Sequence, residues 1–161
     1  MIGTWPGDRP EGLQDALAGA LSVGIGDLDL DSARRGFLAE GYDFPTWLAA
    51  FVARYSELKV VWRATRGGVN ELDTSVVAAL DATHGNVRLF GQRLGKRVLP
   101  VGMVFETEEQ LLLAANGEIW IGGDAGLQRV GPDFEVSVKS LINNDWDKTF
   151  VYRGYSTPGT W

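Results

Sequence analysis

Cysteine is absent from the sequence, and histidine occurs once, at His84. The first absence excludes disulfides and thiolate metal sites, and it suits a reducing compartment. The second leaves imidazole chemistry a single residue. No apolar run approaches the ~18 residues that nominate a membrane-crossing helix. The opening stretch, MIGTWPGDRPEG, has no basic region followed by an apolar one, so the expectation is a cytoplasmic protein without a secretory signal. Bases are outnumbered, 15 against 21 acids, for a net charge of −6. Residues 101–161 hold nine acids and four bases, whereas residues 66–100 hold three acids and five bases. A negative field of this kind repels nucleic acid and favours a basic partner, besides keeping the chain soluble. Neither nucleic acid nor a membrane is an expected partner.

What is present is enough for one globular domain. Apolar residues make up 45% and charged residues 22% of 161 positions, which supports a single substantial core. The chain is organised around residues 98–123, VLPVGMVFETEEQLLLAANGEIWIGG. Two apolar runs flank Asn116-Gly117, a pair suited to a two-residue type I′ turn with positive φ at both positions. Val98, Leu99, Val101 and Met103 predict a preceding strand, and Phe134, Val138, Leu141 and Ile142 predict a covering helix.

Elsewhere, Asp8, Pro10 and Glu11 open a helix whose stripe is Leu13, Ala16, Leu17, Ala20 and Leu21, with Gly24 and Gly26 ending it. Asp31 is the expected cap of a second helix. Phe44, Trp47, Leu48, Phe51, Val52 and Tyr55 mark the most amphipathic one. Residues 58–64 read as a strand, and residues 69–80 fit either a strand or a short helix. Asn86 is the expected cap of a helix closed by Gly95, and residues 149–155 read as a final strand.

Three pieces in this order resemble the third family of the SUKH superfamily of bacterial immunity proteins. The first runs from Phe37-Leu38-Ala39-Glu40 through Phe51-Val52-Ala53-Arg54-Tyr55 into Leu58-Lys59-Val60. The second is Leu94-Gly95-Lys96-Arg97-Val98-Leu99-Pro100-Val101-Gly102. The third links Leu112 and Asn116-Gly117-Glu118-Ile119-Trp120 to Val130-Gly131-Pro132-Asp133-Phe134 and Leu141-Ile142. The resemblance covers about residues 5–142 of a single domain spanning 1–161, and it leaves 143–161 as a C-terminal extension. It implies an α+β fold: an antiparallel-dominated sheet with helices on one face and at the edges. It also implies a non-enzymatic role, binding and neutralising a cognate toxin of nuclease or deaminase type. Relatives that act as intracellular regulatory scaffolds keep a second role open, the binding of an endogenous protein.

Other chemistry is weak by comparison. Asp27, Asp29 and Asp31 begin like a calcium loop, but Ser32 stands where glycine is needed and Leu38 where a bidentate glutamate is needed. Gly24-Ile25-Gly26-Asp27 lacks the third glycine of a dinucleotide loop. His84 has no nucleophile-elbow signature to serve. No catalytic residue, metal or cofactor is expected. Six tryptophans exceed the usual demand of one core, so Trp62, Trp146 and Trp161 are candidates for partial exposure as interface anchors, against core or tail packing as the alternative for each. The expected toxin-binding residues are Glu106, Glu108, Glu109, Asp124 and Trp62, facing a basic surface of the toxin.

Overall fold

A computed structural model describes residues 9–153. The expected cap at Asp8, the end of the last strand at Tyr155, and Trp161 lie outside them. Eight strands form one antiparallel sheet in sequential order: β1 (Ser22–Ile25), β2 (Leu58–Arg63), β3 (Val69–Asp73), β4 (Val98–Val104), β5 (Glu109–Ala114), β6 (Ile119–Gly123), β7 (Gly126–Gly131) and β8 (Tyr152–Arg153). Six helices flank it: α1 (Glu11–Ala16), α2 (Leu30–Ala39), α3 (Thr46–Tyr55), α4 (Val76–Leu80), α5 (His84–Leu94) and α6 (Phe134–Ile142). The fold is the expected α+β arrangement.

The core lies where the apolar runs are longest. Leu111, Leu112, Leu113 and Ala114 are all buried, and so are Ile119, Trp120 and Ile121. Since successive strand residues point to opposite faces, burial of consecutive residues means that the sheet centre is covered on both sides. Leu113 borders Phe51 of α3 and Phe134 of α6, whose rings meet edge to face with centroids 5.2 Å apart. Leu112 points the other way. There the Phe90 ring of α5 sits so close to Gly122 that a Cβ would be about 3 Å from it. Gly102 is equally constrained, because a Cβ there would run into the Asp73 carbonyl where β4 bulges between Pro100 and Gly102.

Several expectations change in detail. The hairpin loop is not the two-residue type. The Gly117 N–H donates to the Ala114 carbonyl at 2.9 Å, and the Ala114 N–H donates to the Glu118 carbonyl, which leaves three loop residues. Only Gly117, at φ 97°, is left-handed; Asn116 keeps an ordinary φ and accepts the Glu118 N–H on Oδ1. This is the turn-plus-bulge solution, whose single left-handed residue is best a glycine.

The first helix stops at Ala16, and Gly24 does not end it: residues 22–25 pair with β2 as an edge strand. Asp29, not Asp31, caps α2 by accepting the Ser32 N–H at 3.1 Å. Thr83, not Asn86, occupies the N-cap of α5, while Gly95 closes that helix in the left-handed conformation. Residues 69–80 hold both a strand and a helix, joined where Ser75 caps α4. Strand β7 went unread, because Gly126, Gly131 and polar Gln128 and Arg129 break its apolar alternation.

Candidate functional site

The acidic turn between β4 and β5 is held from both ends. Phe105 and Glu108 are non-glycine residues with positive φ, 69° and 54°. Residues of this kind occupy the left-handed region only when the surroundings demand it. The demand here comes from the Phe105 ring, which stacks on Trp146 at 6.1 Å and meets Trp62 at 6.5 Å. The Phe105 N–H donates to the Glu71 carbonyl at 2.8 Å, and the Glu108 N–H donates back to the Phe105 carbonyl at 3.1 Å. The aromatic anchor therefore orients the carboxylates that follow it.

Glu106 and Glu108 are exposed, whereas Glu109 is half-buried at the start of β5. The Glu109 stem packs over Gly123, and its carboxylate accepts the Thr107 hydroxyl at 3.0 Å. Burial raises its pKa above the ordinary carboxylate range, and the Thr107 hydrogen bond opposes that rise. Glu108, Glu109 and Asp124 share a cleft of about 490 Å³ between the β4–β5 and β6–β7 turns. Gln110 stands on the same wall, and its Oε1 is buried without a partner. The charged groups lining the cleft are all carboxylates. On the far side of the turn, Glu106 and Glu108 border a second hollow with Glu71 and Asp73, and Lys59 bridges to Glu71 at 3.7 Å. Sequence reasoning missed Glu71 and Asp73, which reach the turn only through the pairing of β3 with β4.

Trp62 is corrected. It is 2% exposed on β2, so it presents no surface. Its place at a buried position of that strand's alternation explains this, and the expectation of partial exposure counted tryptophans without that alternation. Trp146 is half-buried against Phe105, with the Lys148 ammonium 4.1 Å above its ring. The structure thus brings Glu108, Glu109 and Asp124 to one cleft, sets Glu106 on the other side of the same turn, and buries Trp62.

Glu118, by contrast, is engaged internally. Glu118 accepts from Lys96 and Arg129, each at 2.7 Å, and these partners bring its pKa down to about 2. His84 is exposed at the start of α5 and meets the Tyr42 ring edge-on at 4.7 Å. The Tyr42 hydroxyl donates to the Ala82 carbonyl, and burial pushes its pKa up to about 12. Among the described residues, no three His, Asp or Glu side chains are grouped to hold a metal ion, and no helix is long and apolar enough to cross a membrane.

A family model described as SUKH-3 immunity protein matches residues 28–144. No curated protein and no solved structure matches the chain. The matched region runs from the loop before α2 to the end of α6 and includes every residue of the acidic region.

Proposed function

Because the chain belongs to the SUKH-3 immunity protein family, we propose that it binds and neutralises a cognate toxin in the cytoplasm, with the β4–β5 turn and the β6–β7 turn as the contact. The observation that carries this reading is the convergence of Glu108, Glu109 and Asp124 on one cleft. A cleft whose charged lining is carboxylate favours cationic side chains, which answer its charge and donate to its oxygens. A nuclease or a nucleic-acid deaminase presents such cations, because it must bind phosphate. The inhibitor then imitates the charge of the substrate and occludes the active site or the surface beside it. Nothing in that mechanism requires catalysis.

The test is association kinetics of the cognate toxin with Glu106→Gln/Glu108→Gln/Asp124→Asn across a salt series. All three residues are exposed, so the fold should be retained. Loss of the charges should weaken binding by about tenfold at low salt, roughly 1.4 kcal/mol, mostly through slower association. Its salt dependence should flatten as well. Association equal to that of the unaltered protein at every salt concentration would remove this region from the interface.

A further inference from the structure

On the opposite flank of α5 lies a groove of about 540 Å³ with the contrary charge. Arg88, Lys96 and Arg97 border it, with Asp43 as the one acid. In a chain of net charge −6, this is a local concentration of cations. We propose that the groove binds an extended protein segment bearing carboxylate side chains, a site separate from the acid-lined cleft.

Shape and charge support this occupant together. His84, Arg88 and Gly91 follow one another at spacings of four and three along α5, and Gly95, its C-cap, comes four residues later, so the groove runs lengthwise on a single helix face. Eleven helical residues extend about 16 Å, the reach of roughly five residues of extended chain. The groove's lining of Arg88, Lys96 and Arg97 against the single acid Asp43 complements carboxylate side chains. Arg88 has no hydrogen-bond or ion-pair partner among the described residues.

Arg97 already shows the chemistry. Its guanidinium holds the Asp43 carboxylate at 2.6 Å, and the Asp43 side chain is 77% exposed. An exposed pair of this kind contributes little, so an incoming carboxylate can take Asp43's place at small cost. Lys96 is less available, because it is engaged with Glu118. Arg88 and Arg97 are therefore the cations that recognise the segment. Arg88 projects from α5, and Arg97 stands on the segment that folds back beside the helix after Gly95, where Lys96 and Val98 lie against Gly91.

The inference goes beyond the toxin reading and is tested without any toxin, so its failure leaves that reading untouched. The full chain is titrated, by amide-resolved NMR, with a capped peptide of sequence Gly-Glu-Leu-Gly-Glu-Gly and with its Gln-for-Glu counterpart. The glutamate peptide should shift the amides of Gly41, Arg88, Gly91 and Gly95 in a saturable, salt-sensitive way. The glutamine peptide should bind at least tenfold more weakly. Arg88→Glu should lower affinity at least tenfold with an unchanged melt, since Arg88 is exposed; Arg88→Gln serves if the charge reversal disturbs folding. Arg63→Glu, on the exposed face of β2, should have no effect. Equal binding of the two peptides, no binding of either, or an Arg88 variant that binds normally would overturn the proposal. Shifts of the same amides by adenosine monophosphate but not by the glutamate peptide would overturn it in favour of a small-anion site.

Discussion

Glu108 places a backbone cost and a charge on one residue. Its φ of 54° lies in the region that L-residues avoid, and its carboxylate faces the acidic cleft. Glycine removes the steric cost at the expense of some unfolded-state entropy. Glu108→Gly should therefore stabilise the fold by about 0.5–1 kcal/mol while slowing association with the toxin. Thermal melting and binding kinetics on the same variant check the two signs, and a variant lower in both would mean that Glu108 serves the fold. Phe105 shares the conformation but not the outcome, because its ring is the anchor between Trp62 and Trp146. Trp62 belongs to the core, so Trp62→Ala should cost about 3–5 kcal/mol in denaturant titration. A loss below roughly 1 kcal/mol would place the indole at the surface.

At the scale of elements, Glu118 ties three pieces together. It immediately precedes β6, its Lys96 partner follows α5, and its Arg129 partner lies on β7. The folded state holds its pKa at about 2, below its ordinary value of 4.5. A depressed carboxylate pKa means stability that is fully present above pH 4.5 and is lost as pH falls toward 2. The side chain is only 14% exposed but its partners are 39% and 44% exposed, so the contribution is discounted to the order of 2 kcal/mol. Glu118→Gln should melt at a lower temperature than the unaltered protein at pH 7. The gap should close between pH 4.5 and pH 2. A gap that stays constant over that window would show that Glu118 acts through packing and not through its charge.

For the whole molecule, the two flanks of α5 divide the charge: an acidic cleft on one, a cationic groove on the other. Salt should therefore weaken toxin association and peptide binding through different residues, and the variants at Glu108 and Arg88 separate them. Much of this plan was legible in the chain itself. The helix over 46–55 follows from residues spaced three and four apart, and the hairpin at Gly117 follows from a residue that accepts positive φ. The α5 stop at Gly95 follows for the same reason, and the order of these pieces carried the family resemblance. These are local preferences, set by neighbours within a turn of chain. What only the tertiary structure decided depends on partners distant in sequence. Pairing of β3 with β4 brought Glu71 and Asp73 to the acidic turn, and the packing of Phe105 against Trp62 and Trp146 fixed its direction. Trp62 went inward because the sheet face it occupies is covered. Arg88, Arg97 and Asp43 met only once α5 had packed beside the loop that follows α2, and no local preference encodes that encounter.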